Sequence, residues 1–255
     1  MRHLMARIFS CLLLCLFFVA GPKGLFAGEM TDETQRITSI INKVIDAYGG
    51  KEVIEGMDSL HAKGEIEAFM LHDHGTYELY FKRGRKLRVE TKYEHSSELR
   101  ILNGDRGYRS TDSLPIEEVY GPRYLSMVYQ YKHLNILHDL VGGTYQIRSA
   151  GRSSVNGNNV EVFRLNDKEG AMMDIYIDAH NSLIVKVAAY FSEGNKKMDL
   201  SAEFSDFKKV GGSVFPFRIT NYAGGLKIAQ TVVEEYSLNP NIADSFFAPS
   251  IIQSL

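Results

Sequence analysis

From Leu60 onward the apolar residues of this chain recur at every second position, in one short run after another. Leu60, Ala62, Gly64, Ile66, Ala68 and Met70 alternate with His61, Lys63, Glu65 and Glu67. Tyr77, Leu79 and Phe81 repeat the pattern, followed by Leu87 and Val89 and then by Leu99 and Ile101. Turn residues separate the runs: His72-Asp73-His74-Gly75, Arg83-Gly84-Arg85 and Asn103-Gly104-Asp105. Successive side chains on a strand point to opposite faces, so a period of two predicts strands with one apolar face. Turns this short predict an antiparallel meander.

Strand patterns resume at residues 144–150, 159–165, 171–178, 182–191, 198–208, 214–222 and 226–237. The count is about eleven strands, with no helix between successive strands to make parallel crossovers. A sheet of that width curls. The polar faces carry Lys63, Glu65, Glu67, Arg88, Glu90 and Lys186. A transmembrane barrel would show an apolar outer face there, so that architecture is excluded.

Two helices are predicted beside the sheet. Ile37, Ile40, Ile41, Val44, Ile45 and Tyr48 fall on one helical face, with Asp32 and Gln35 spaced as a capping box and Gly49-Gly50 as the stop. Residues 122–140, PRYLSMVYQYKHLNILHDL, form the second, opened by a proline and closed by Gly142-Gly143. Its apolar residues occupy more than one face, so a single packed side does not account for them. A helix sandwiched in the core and a lid over a cavity both fit.

The first residues have the layout of a secretory signal peptide: Arg2 and Arg7, an apolar run over residues 8–20, then Gly21-Pro22-Lys23. Cleavage is expected after Ala27, leaving residues 28–255 as one domain. Cys15 follows Leu14 rather than a small residue and is read as signal core, not as a lipidated anchor. The leader carries three basic and no acidic residues, so its removal takes the formal charge from −2 to −5. Cys11 and Cys15 leave with it, which excludes disulfides and thiolate chemistry in the exported chain. A mildly acidic exported protein gives no reason to expect nucleic acid.

Three stretches invite a chemical reading. His72 and His74 lie two apart, so on a strand both imidazoles could reach one metal ion, with His61 or His95 as a third ligand. A polar hairpin tip explains the same residues, and no metal is expected. Lys82, Arg83, Arg85, Lys86 and Arg88 cluster around a turn. They suit anionic headgroups or an acidic partner, or a solvated edge that discourages strand pairing. Residues 204–219, FSDFKKVGGSVFPFRI, hold a Gly-Gly pair that could cradle a phosphate. A phosphate loop needs a helix directly after it, and Ser213-Val214-Phe215-Pro216-Phe217 is strand-like, so Gly211-Gly212 is a hairpin turn. Phe215, Phe217 and Ile219 alternate on the returning strand, while Phe207 is out of phase with the row ending at Phe204. No nucleophile motif is present, and no catalysis or cofactor is expected.

The ordered series of Asp46-Ala47-Tyr48-Gly49-Gly50, the turn Asn103-Gly104-Asp105-Arg106-Gly107-Tyr108, the 204–219 hairpin and the tail Leu238-Asn239-Pro240-Asn241-Ile242-Ala243-Asp244-Ser245-Phe246-Phe247 resembles the LolA-like family of exported lipoprotein carriers. The resemblance implies a mainly β, strongly curved antiparallel sheet, a half-open barrel, with helices covering its concave face. It implies a monomeric periplasmic carrier of lipoprotein acyl chains or other lipids, working with inner- or outer-membrane envelope proteins. A buried methylene is worth about 0.8 kcal/mol, so an acyl chain crossing water needs such a shelter. Candidate lining residues are Tyr124, Leu125 and Val128 from the central helix, with Phe204, Phe215, Phe217 and Ile219 from the hairpin. Each could equally be ordinary core. The alternatives are an envelope interaction or sensor module without lipid cargo, and a metal-dependent hydrolase using His72 and His74.

Overall fold

The computed structural model describes residues 25–170, 172–193 and 196–249. The leader expected over residues 1–27, with both cysteines, lies outside the described residues as far as residue 24. Leu25 to Ala27 are described and open α1 (Leu25–Ala47), which therefore begins upstream of the Asp32 cap expected from sequence. The chain divides into two units, Met1–Arg36 and Ile37–Leu255. In the first, the described residues are helical.

The second unit is built on one thirteen-stranded, curved and unclosed antiparallel sheet. A first meander comprises β1 (Ser59–Ala68), β2 (Asp73–Lys82), β3 (Lys86–Tyr93), β4 (Ser97–Asn103), β5 (Arg106–Thr111) and β6 (Leu114–Val119). A second comprises β7 (Gln146–Val155), β8 (Asn158–Asn166), β9 (Met172–Asp178), β10 (Ile184–Glu193), β11 (Lys196–Val210), β12 (Ser213–Ala223) and β13 (Leu226–Leu238). β1 pairs with β13, which welds the meanders together and leaves β6 and β7 as the two free edges. The central helix α3 (Gly121–Val141) runs from one of these edges to the other. The observed count exceeds the expected one by β5 and β6, whose sequences RGYRST and LPIEEV lack an alternating apolar row.

α3 answers the question raised by its two-sided apolarity. Tyr129, Ile136 and Leu140 belong to a core cluster with Val44 of α1, Ile54 of α2 (Lys51–Glu55), and Phe163, Leu165, Ile175 and Val187 of the second meander. Met127, Val128 and Tyr131 belong to a second cluster with Leu79, Phe81, Val89 and Leu102 of the first. One helix thus serves the inner faces of both meanders, and its flanks must both be apolar.

Polar contacts fix its position. Tyr129 Oη donates to the Val187 carbonyl at 3.0 Å, and a ring N–H of His138 donates to the Met57 carbonyl at 2.7 Å. Tyr145 Oη donates to Asp139 at 3.0 Å, just past the helix end.

β4 is read in the opposite phase from sequence. Residues facing each other across a ladder point the same way. Val89 faces Arg100 and Leu87 faces Leu102, so Arg100 and Leu102 share the inner face, while Ile101 faces Arg88 on the outer one. Ile101 is nonetheless fully buried. The chain end covers the outer face of β3 and β4 with a 3-10 turn, Asp244–Phe247. Asn239 pins that tail: its Oδ1 accepts from the Asp58 amide at 2.8 Å and its Nδ2 donates to the Gly56 carbonyl at 2.8 Å.

Candidate functional site

A cavity of about 580 Å³ lies between the sheet's inner face and α3. The helix presents Ser126, Tyr129, Gln130, His133, Leu134 and Leu137 to it, positions spaced by three and four that form one stripe. The sheet contributes Phe81, Val187, Phe204, Phe215 and Ile219 among others. At one end the lining reaches Met70 and Leu71 in the β1–β2 turn, which are 65% and 62% exposed. Apolar side chains held that far into water mark an opening.

Of the seven residues expected to line a pocket, Phe204, Phe215 and Ile219 do so. Phe217 is not in the lining. Its ring packs edge-on against Tyr236 at 5.2 Å, and Lys208 Nζ sits 4.2 Å above it. Tyr124, Leu125 and Val128 are not in the lining either. Val128 is buried in the first-meander cluster, and Tyr124 packs beside it while its hydroxyl accepts from Arg85 at 3.3 Å. The helix is rotated from the expected phase because both of its flanks are apolar. The usable signal was polar: Gln130 and His133, three apart, interrupt the apolar surface and mark the cavity stripe.

His133 packs at a tilt against Tyr129, with ring centroids 4.2 Å apart, and lies edge-on to Phe204 at 5.8 Å. Its Nε2 has no hydrogen-bond partner among the described residues. Burial disfavours its charged form and lowers its pKa to about 3, so the imidazole is neutral at neutral pH. Burial likewise pushes the Tyr77 hydroxyl up to about 12. Gln130 Nε2 approaches that hydroxyl at 3.5 Å.

The basic cluster is drawn into the molecule. Lys82 and Lys86 hold the two carboxylate oxygens of Asp244 at 2.9 and 2.7 Å, and their hydrogen bonds, Lys86 first, lower its pKa to about 2. Arg88 donates to the Phe246 carbonyl and stacks 4.6 Å over its ring. Arg85 contacts Asp105 at 3.1 Å and Glu169 at 3.3 Å. Arg83 alone of the five is classed as exposed. Tail residues thus meet Lys82, Lys86 and Arg88, and Asp105 and Glu169 meet Arg85.

His72 and His74 do not form a ligand pair. His72 sits in the turn with φ 51°, outside the strand whose alternation would have aligned the two rings. His74 faces Glu94 at 3.3 Å, and His61 stacks on Tyr80. The grouping with metal-ligand spacing among the described residues is Asp73, Glu94 and His95. Asp73 is buried, which by itself would raise its pKa. Its carboxylate accepts the backbone N–H groups of His74, Glu94 and His95, and the net shift is downward. That carboxylate is the cap of a turn.

No protein-family model and no curated protein sequence matches the chain. Solved structures do resemble it. A DUF1329 family protein from Desulfovibrio piger superposes with a TM-score of 0.54 at 11% identity, covering 85% of this chain and 98% of that one. A LolA superfamily protein from Nitrosomonas europaea gives 0.53 at 14% identity, covering 83% and 96%. A putative outer membrane lipoprotein-sorting protein domain from Vibrio parahaemolyticus gives 0.50 at 11%, covering 82% and 94%. The fold is LolA-like, as the sequence resemblance implied.

Proposed function

We propose that this protein is an exported, periplasmic carrier or binding protein for lipoprotein acyl chains or other lipids, and that it performs no catalysis. The observation that carries the reading is the cavity of about 580 Å³ between sheet and α3, lined mainly by apolar side chains and reaching exposed Met70 and Leu71 at one end. Sites of about 300–1,000 Å³ with apolar walls and a few polar groups are typical of small-molecule ligands. An acyl chain placed there gains about 0.8 kcal/mol per buried methylene without any reacting group. The lipoprotein-sorting description of the Vibrio parahaemolyticus neighbour is consistent with that use.

The interaction-module alternative drew on the basic cluster, and the tail and the acidic residues Asp105, Asp244 and Glu169 now account for four of its five side chains. The hydrolase alternative drew on His72 and His74, which point to no common site.

The test is titration of the purified protein with a fluorescent fatty acid, followed by displacement with unlabelled palmitate. Saturable binding of one equivalent is expected. A folded protein that leaves the probe in water counts against the proposal.

A further inference from the structure

The cavity wall is mainly apolar, with uncharged polar side chains such as His133, Ser201, Asn221 and Thr231. Its charged groups lie in one strip, where Arg100 and Glu98 of β4 lie near Tyr77 of β2 and Gln130 of α3. Arg100 shares the inner face with Val89, a position where its neighbours Leu79, Val89 and Leu102 are all buried apolar side chains. Its side chain is 25% exposed, its buried Nε has no hydrogen-bond partner among the described residues, and its contact with Glu98 is an ion pair at 3.7 Å. A guanidinium carries five N–H donors in a planar fork. Leaving the buried Nε–H unused beside a cavity is costly unless something else takes it up.

The local charges favour an anion. Glu98, on the same strand, approaches Arg100 Nε at 3.7 Å, outside hydrogen-bond reach, and gives its other carboxylate oxygen to Arg109. Glu98, Arg100 and Arg109 together sum to one positive charge. Gln130 adds to this. One end of its amide engages the Tyr77 hydroxyl, and the other has no partner among the described residues. With its oxygen turned to the tyrosine hydroxyl, its NH₂ becomes a further donor for an anion.

Position matters as well. Tyr93, which lines the cavity beside Arg100, faces Gly75 near the start of β2. The β1–β2 turn with exposed Met70 and Leu71 is at that same end of the sheet. Arg100 itself faces Val89, which faces Leu79, so it lies deeper than Tyr93, whereas Phe204 is level with Ile66 and Gly75 through Ile219 and Thr231. A polar head held by Arg100 would sit inside the cavity, with its chain running past Phe204 toward the opening.

We infer that Arg100, assisted by Gln130 and Tyr77, is a headgroup site, and that the cargo is a single-chain amphiphile with a small anionic head, a carboxylate or a phosphate. This rests on the cavity being an acyl-chain site. The volume agrees with one chain: about 580 Å³ sits mid-range for a single small ligand.

The experiment measures dissociation constants of the full chain for palmitate, palmitoyl lysophosphatidate and the uncharged hexadecanol. It is repeated with Arg100→Met and Arg100→Lys, each checked by thermal unfolding. Arg100→Met should weaken the anionic ligand by about 10- to 100-fold, the range expected for charge-assisted hydrogen bonds, and leave hexadecanol within about twofold. Arg100→Lys should keep the preference for the anion. Tighter binding of palmitate marks the head as a carboxylate, and tighter binding of lysophosphatidate marks it as a phosphate. Equal binding of hexadecanol and both anions by the unaltered protein overturns the inference while the carrier reading stands. So does equal weakening of all three by Arg100→Met in a folded variant. Failure of every ligand to bind the unaltered protein removes the carrier reading itself.

Discussion

Gly49 and Gly212 meet backbone to backbone: a Cβ built on Gly49 would lie 2.4 Å from the Gly212 carbonyl oxygen. Ser213 Oγ donates to the Tyr48 carbonyl at 2.8 Å beside this contact. The end of α1 and the β11–β12 turn are thus one joint, which holds the last turns of α1, from Ile37 on, against the second meander. Gly49 also has φ 102°, a region that penalises any side chain. Gly49→Ala should therefore lose clearly more than the roughly 1–2 kcal/mol of a left-handed alanine. Gly50→Ala faces open space, but φ 87° with ψ 169° is a region essentially reserved for glycine, so it should lose about 1–3 kcal/mol from backbone strain alone, without the clash that Gly49→Ala adds. Urea denaturation of the two variants checks the difference.

His133 makes stability depend on pH in a definite direction. Its pKa is about 3 in the folded chain and 6.5 in the unfolded one. Between those values the unfolded state binds more protons, so stability falls as pH drops from 6.5 toward 3. His133→Phe keeps a ring against Tyr129 and Phe204 and removes the proton site. The unfolding free energy of the unaltered protein, from urea denaturation, should fall more between about pH 7 and pH 4 than that of the variant, by an amount on the order of a few kcal/mol. Parallel curves would show that the ring is not buried as described.

The tail latch is the second acid-sensitive element, with a lower window. Asp244 is lowered from 3.8 to about 2 by its bonds to Lys86 and Lys82. Its contribution is present above the unfolded value and is lost as pH falls through the folded one. Asp244→Asn should imitate that loss at neutral pH. Hydrogen exchange at Phe246 and Ala248, whose amides bond within the tail, should accelerate while acyl binding is unchanged.

Much of this architecture is legible in the residues. The period of two in β1 to β3 and the two-sided apolarity of α3 survive directly into the structure. What escaped the reading is non-local. Pairing of β1 with β13 joins residues about as far apart as the unit allows, and no local pattern encodes it. Ile101 looked like an inner residue because it is apolar, yet it is buried on the outer face by a tail lying well over a hundred positions away. That same reversal puts Arg100, between Leu99 and Ile101, on the inner face. The seven lining candidates divided by the same logic. Strand phase placed Phe204, Phe215 and Ile219, and helix phase could not be read where both flanks are apolar.

The central claim is that an acyl chain occupies the space between α3 and the sheet. Ala229 lines that space opposite Ala68, near the open end. The direct measurement is binding stoichiometry for palmitate, by titration calorimetry, in the unaltered protein and in Ala229→Phe, whose added ring fills the cavity. One palmitate per chain should bind the unaltered protein, and binding to the folded variant should weaken at least about tenfold, a change of about 1.4 kcal/mol. Equal binding to both proteins would place the ligand elsewhere and contradict the account.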